Sequence, residues 1–138
     1  MATPRRVLFL CTHNSARSQM AQGLLNALGG GDYEALSAGI TATSVKPEAV
    51  TAMKEIGIDI GAHQSKSLEK YLDQEIDTVV TVCDDANEVC PVFPKARRRI
   101  HWSIADPSLV EGPGRLPAFR AARDELKDRI ETEFLEKP

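Results

Sequence analysis

The chain has 138 residues, 42% hydrophobic and 27% charged, with a formal net charge of −3, a size and balance suited to one domain, residues 1–138, with a sizeable core. No excess of basic charge argues for a nucleic-acid partner, and no apolar run approaches the ~20 residues that cross a bilayer or the core of a secretory leader. A cytoplasmic protein without a membrane partner is expected, and a monomer is the working assumption; three cysteines, Cys11, Cys83 and Cys90, are too few and too odd in number for a secreted disulfide scaffold.

Val7-Leu8-Phe9-Leu10 is an unbroken apolar run, the pattern of a buried parallel strand, so residues 5–10 are predicted as the first strand, stopping at Cys11. Residues 16–28 read as a helix, with Met20, Leu24 and Leu28 on one face and Gly29-Gly30-Gly31 as its stop. A second strand is expected over 33–38. A second helix follows over 47–56, with proline in its first turn and Ala49, Met53 and Ile56 in a stripe; a short third helix covers 67–72. Residues 77–82 are β-branched almost throughout, a clear strand that again ends at a cysteine, Cys83. A short helix is predicted over 84–89, with Asp84 and Asp85 in its first turn, before Pro91 and Pro94 force an irregular stretch. Residues 99–104 are predicted as the last strand, running into Ala105-Asp106-Pro107; Arg97-Arg98-Arg99 reads as a solvated rim. A glycine- and proline-rich loop, 111–117, leads to a C-terminal helix carrying Phe119, Ala122, Leu126, Ile130 and Phe134.

Strands alternating with helices imply an α/β fold of three layers, a four-stranded parallel sheet flanked by helices. Ligands of such sheets bind beyond the carboxyl ends of the strands. Cys11, Cys83 and Asp106 are all expected at that edge. The stretch from Cys11 to Ser18 has the form C-x5-R-S between a strand and a helix. It gathers a thiol, a guanidinium and the backbone N–H groups of Thr12, His13, Asn14, Ser15 and Ala16 at a helix N-terminus, where an anion is favoured. The helix end and Arg17 both favour a Cys11 thiolate, a strong nucleophile. Arg17 offers a bidentate fork to an oxyanion, and Ser18 is placed to donate a hydrogen bond to the sulfur. Asn14 either holds the loop, since Asn tolerates left-handed backbone, or is an ordinary turn residue. Asp106 before Pro107 is either a proton donor to a leaving oxygen or a routine turn element.

Cys83 and Cys90 are seven residues apart. On an intact helix that spacing is a rise of about 10.5 Å, against the roughly 7 Å Cα separation beyond which a disulfide needs backbone movement. A disulfide between them therefore requires residues 84–89 to unwind. Burial and metal binding are the other readings, although no Cys/His cluster has zinc spacing and no metal is expected.

C-x5-R-S after the first strand and Asp106-Pro107 late in the chain resemble the low-molecular-weight protein tyrosine phosphatase fold family. Within it the sequence is similar to the thioredoxin-coupled arsenate reductases, on Cys11-Thr-His-Asn-Ser-Ala-Arg-Ser-Gln19, Ser37-Ala-Gly39, Val82-Cys-Asp-Asp-Ala-Asn-Glu-Val-Cys90-Pro91 and His101-Trp-Ser-Ile-Ala-Asp-Pro107. The resemblance implies arsenate as substrate, bound by residues 12–18, with Cys11 attacking and Asp106 assisting departure of an oxygen. Cys83 would then attack Cys11 and release arsenite, and Cys90 would attack Cys83. The resulting Cys83–Cys90 disulfide would be reduced by thioredoxin, with no bound cofactor. Some relatives bind potassium beside the loop through an Asn, a Ser and two carboxylates. Asn14 and Ser37 match, but Gln22 and Lys66 stand at the carboxylate positions, so no tight potassium site is expected. A tyrosine phosphatase and a non-catalytic oxyanion or redox sensor are the alternatives; Ser108 and Leu109 after Asp106-Pro107 leave out the aromatics with which those phosphatases grip a phosphotyrosine ring.

Overall fold

Alternation along the apolar first strand sends its side chains to opposite faces of a sheet, and both faces are covered. In the computed structural model, which describes residues 3–84 and 92–135, strand β1 (Arg5–Cys11) lies inside a four-stranded sheet of order β2-β1-β3-β4. Its neighbours are β2 (Tyr33–Gly39) and β3 (Ile76–Thr81), and β4 (Ala96–His101) forms the edge beyond β3. Every pairing is parallel, with Cys11 opposite Gly39 and Leu10 opposite Thr81.

Val7, Phe9 and Cys11 face a core built with Met20, Leu24 and Leu25 of helix α1 (Arg17–Leu28), Met53 of α2 (Pro47–Lys54) and Phe119 and Leu126 of α3 (Arg115–Ile130). Leu8 and Leu10 face the other way, onto Leu68 and Tyr71 of a 3-10 turn (Leu68–Tyr71) and onto Phe93. Among the described residues the three helices therefore cover one face and the 3-10 turn the other. After α3 a single π-type turn (Glu131–Leu135) brings Phe134 against Tyr33 and Trp102, with ring centroids 5.6 and 6.2 Å apart.

Several expected boundaries move, each for a local reason. Helix α2 ends at Lys54 rather than Ile56, because Gly57 takes φ +80° and turns the chain; Ile56 is consequently exposed. Leu28 also leaves the buried stripe at the end of α1, while Leu25 enters it. The third helix is only a 3-10 turn, capped by Ser67 accepting from the Glu69 N–H. Helix α3 begins at Arg115 and holds Pro117 in its first turn, where its missing N–H has no intrahelical partner to lose. The largest shift is the last strand, expected over 99–104 and found over 96–101. Ladder pairing with β3 covers the arginines, while Trp102 and Ile104 continue alongside by donating to Thr81 O and Val82 O (2.8 and 3.4 Å). The predicted helix over 84–89 lies outside the described residues apart from Asp84.

The end of β2 matters most for the site. Beyond it, Ile40 and Thr41 donate to Cys11 O and Thr12 O (3.3 and 3.0 Å), so the two strand ends run side by side into loops. A Cβ on Gly39 would stand 2.7 Å from Asn14 N and 2.9 Å from both His13 C and Thr12 O, all rigid backbone. Gly39→Ala is therefore expected to destabilise the fold by about 1–3 kcal/mol through overpacking, read as a lower urea midpoint at unchanged slope, and to weaken inorganic phosphate binding as the loop is displaced.

Candidate active site

Cys11 closes β1 and the next five residues form a loop that delivers Arg17 as the first residue of α1. This first turn carries no acidic side chain, so the partial positive charge of the helix end is left for a ligand. Asn14 takes φ +53°, the left-handed conformation that turns the loop back on itself, and its side chain is fully buried. Of the two readings of Asn14, the loop-holding one fits. Its Oδ1 accepts from the Lys66 N–H (2.8 Å) and Gln19 Nε2 (3.0 Å), and its Nδ2 donates to Ser18 Oγ (2.8 Å).

The Ser18 hydroxyl also reaches the nucleophile candidate. While Asn14 donates to its oxygen, Ser18 keeps a proton of its own, and Cys11 Sγ lies within hydrogen-bond distance at 2.8 Å. Gln19 continues the network outward: Nε2 also donates to Asn14 O (3.2 Å) and Gln64 O (2.9 Å), and its Oε1 meets His63 Nδ1 (3.0 Å). Since Oε1 can only accept, His63 Nδ1 carries the proton; burial, then the charge of Lys66, lowers the imidazole pKa. The Ser65 hydroxyl donates to Asn14 O (2.7 Å).

Arg17 is buried and aimed across the cleft. Its Nη1 donates to Ile104 O (2.8 Å) and its Nη2 lies 3.4 Å from Asp106 Oδ2. Asp106 stands five residues beyond the end of β4 rather than at the strand terminus, and is brought to the site by the extended stretch from Trp102 to Ile104. Burial alone would raise its pKa, but hydrogen bonds from the Ser108 hydroxyl (2.7 Å) and N–H (3.0 Å), with the charge of Arg17, outweigh it and hold the carboxyl below the usual range.

Cys83 arrives from β3. Cys11 and Cys83 are both buried thiols in the same apolar cluster, and Cys83 Sγ lies 3.3 Å from the hydroxyl of Thr12, the first residue of the loop. Asp84 follows, and its carboxylate binds His101 Nε2 (2.8 Å); the bonds from His101 and then Ser103 lower its pKa. Thr12, His13, Arg17, Cys83, Asp84 and Asp106 all line one cleft of about 580 Å³. His13 is exposed at its rim, whereas Ser15 and Ala16 are buried in the loop. Cys90 lies outside the described residues.

The positions considered for a cation are occupied by protein contacts: Ser37 donates to Gln22 Oε1, and the Lys66 ammonium donates to Gln64 O (2.7 Å). Burial, then Lys70, lowers the Lys66 pKa. No group of three or more His, Cys, Asp or Glu is arranged to hold a metal among the described residues. Gln19 and His63 escaped assignment from sequence. Gln19 stood inside the quoted motif, but its partners come from residues about 45 positions away.

A parallel sheet whose first strand ends in a buried thiol, followed by a tight loop into a helix N-terminus and by an arginine and an aspartate facing each other across a cleft, defines the class by its architecture: a single α/β domain with its cleft at the carboxyl edge of the sheet. Residues 6–137 match the low molecular weight phosphotyrosine protein phosphatases, and the chain belongs to that family. Within it, the arsenate reductase of Halalkalibacterium halodurans is 46% identical, covering 91% of this chain and 92% of that protein. A solved arsenate reductase in the phosphate binding state superposes with TM-score 0.82 at 32% identity, covering 93% of this chain and 95% of the other. A thioredoxin-dependent arsenate reductase from Corynebacterium glutamicum superposes with TM-score 0.68 at 26% identity, covering 99% of this chain and 66% of that one.

Two outcomes follow from the site's hydrogen bonds. Ser18→Ala is expected to slow iodoacetamide alkylation of Cys11 at pH 7 about tenfold, the size of one hydrogen bond to a charged group, measured on the Cys11 peptide by mass spectrometry. Because the folded Asp106 pKa is lowered, its contribution to stability is present above the ordinary carboxylate range and lost as pH falls through the folded value. The urea midpoint of Asp106→Asn should therefore lie below that of the wild type at pH 6 and converge with it near pH 2.

Proposed function

We propose that this protein reduces arsenate to arsenite through three thiols and is recycled by thioredoxin in the cytoplasm. The carrying observation is the second buried thiol: Cys83 sits at the mouth of the anion loop, within 3.3 Å of Thr12 Oγ1. Hydrolysis of a phosphate ester needs one cysteine there; a redox reaction needs a second electron donor.

Arsenate is a tetrahedral oxyanion, and the loop N–H groups of residues 12–18 with the Arg17 fork suit three of its oxygens. Its negative charge, arriving beside Asp106, raises the carboxyl pKa and allows that group to hold a proton. The Cys11 thiolate attacks arsenic, an As–S bond forms, and a hydroxyl of the protonated arsenate leaves as water as its As–O bond breaks, taking the proton of Asp106. The Cys83 thiolate then attacks Cys11 Sγ. The As–S bond breaks with its electron pair remaining on arsenic, which falls from +5 to +3 and leaves as arsenite, while a Cys11–Cys83 disulfide forms. Cys90 next attacks Cys83 Sγ, Cys11 leaves as thiolate, and the Cys83–Cys90 disulfide is reduced by the thioredoxin dithiol. Relatives bearing the arsenate reductase name, one of them thioredoxin-dependent, support this reading.

With arsenate, NADPH, thioredoxin and its reductase, the wild type should oxidise NADPH continuously, and Cys83→Ser and Cys90→Ser should not. In a single turnover, Cys90→Ser should release about one arsenite per chain and accumulate the Cys11–Cys83 disulfide, the stoichiometry of one thiol exchange. Cys83→Ser should release none. Sustained NADPH oxidation by Cys90→Ser would sink the relay.

A further inference from the structure

Asp106 sits on a segment with little to hold it. After Pro107, which is buried, come Leu109, 79% exposed, Val110 and an exposed glycine-rich turn in which Gly112 takes φ +73°. The backbone bonds from Leu109 to Asp106 O and from Val110 to Pro107 O close only the local 3-10 turn. Besides Arg17, which faces Asp106 across the cleft, a second arginine ties this segment to the rest of the fold. Arg115, the first residue of α3, reaches back and donates through Nη1 to Ser108 O (2.7 Å) and Val110 O (3.2 Å).

The same guanidinium is braced on two other sides. Its Nε donates to Glu48 Oε2 (2.8 Å) in the first turn of α2, and its carbon lies 5.4 Å from the ring centre of the fully buried Phe119. A planar fork with donors in fixed directions is suited to bridging two carbonyls and a carboxylate at once. Glu48 is half-buried, and the bond from Arg115 lowers its carboxyl pKa, so the pair is an ionic brace between the start of α2 and the start of α3.

The two ends of Ser108 connect the brace to the acid. Its carbonyl is fixed by Arg115, while its N–H and hydroxyl both bind Asp106 Oδ1, leaving Oδ2 toward Arg17 and the cleft. We infer that Arg115, braced by Glu48, is a positioning residue that fixes the stance of the Asp106 carboxyl through Ser108. This rests on the reading of Asp106 as proton donor. A proton donor displaced by a fraction of an ångström to an ångström loses much of its effect, and the exposed turn cannot by itself prevent that displacement. Neither Arg115 nor Glu48 lines the cleft.

The test is a double-mutant cycle on arsenate turnover, with wild type, Arg115→Ala, Asp106→Asn and the double variant compared by kcat and KM. Arg115→Ala is expected to lower kcat about tenfold or more, with inhibition by inorganic phosphate unchanged because the anion loop is intact. In the Asp106→Asn background the same substitution should change kcat less than about twofold, since its effect passes through the missing carboxyl. Glu48→Gln, which keeps an acceptor and the side-chain shape, should move kcat in the same direction by a smaller factor and likewise have no effect on Asp106→Asn; it carries the test alone if Arg115→Ala does not fold. Equal slowing of wild type and Asp106→Asn, or no slowing of wild type, overturns the proposal. Full activity of Asp106→Asn overturns instead the assignment of the acid on which it rests.

Discussion

A buried asparagine in a left-handed conformation has to have its amide matched, and at Asn14 that requirement organises the site. The loop between β1 and α1 turns where φ reaches +53°, a conformation that L-residues other than Asn, Asp and Gly resist. The side chain that permits the turn is then committed at both ends, accepting from Lys66 N–H and Gln19 and donating to Ser18. Two consequences follow from one residue. The loop cannot open without stranding a buried polar group, and the Ser18 hydroxyl is held 2.8 Å from Cys11 Sγ. Gly39 completes the constraint from the neighbouring strand, because its missing side chain is the space into which the loop backbone packs.

The charges around the cleft are balanced within the protein. Arg17 faces the Asp106 carboxylate, which Ser108 holds ionised, and the positive end of α1 faces Cys11. In the proposed reaction an entering oxyanion competes with Asp106 for Arg17 and pushes the carboxyl toward its protonated form. Binding the substrate and arming the acid are in this way coupled through one guanidinium. Cys83 lies at the Thr12 side of the same cleft, so a redox outcome can follow the nucleophilic step without a change of site.

Sequence patterns worked where burial is two-sided and local. The apolar run at Val7–Leu10 and the β-branched run before Cys83 read as parallel strands and are the two central ones, and C-x5-R-S marked the strand–loop–helix turn that brings Cys11 and Ser18 together. They worked less well at the sheet edge. In β4 the arginines pair with β3 on their backbone while their side chains face solvent, so nothing in their composition marks them as strand. The strand expected over 99–104 falls three residues late. The end of α2 was similarly misjudged at Ile56, where Gly57 turns the chain, and Leu28, which does end α1 as expected, faces out of the buried stripe. Arg115, in what read as the end of a loop, gave no local sign of its bonds to Ser108 and Val110.

From the amino-acid order alone came the parallel α/β architecture, the oxyanion loop and the three thiols, because these are encoded in short-range spacing: alternation, a strand-to-helix motif, cysteines at strand ends. Tertiary structure decided what Ser18 meets, what holds Asn14, and how Asp106 reaches Arg17 from beyond a strand that stops five residues earlier. Those depend on side chains such as Gln19, Ser65, Glu48 and Arg115 meeting partners far away in the chain. A hydrogen bond between distant residues leaves no periodic trace in sequence; it exists only once the sheet has set the distances.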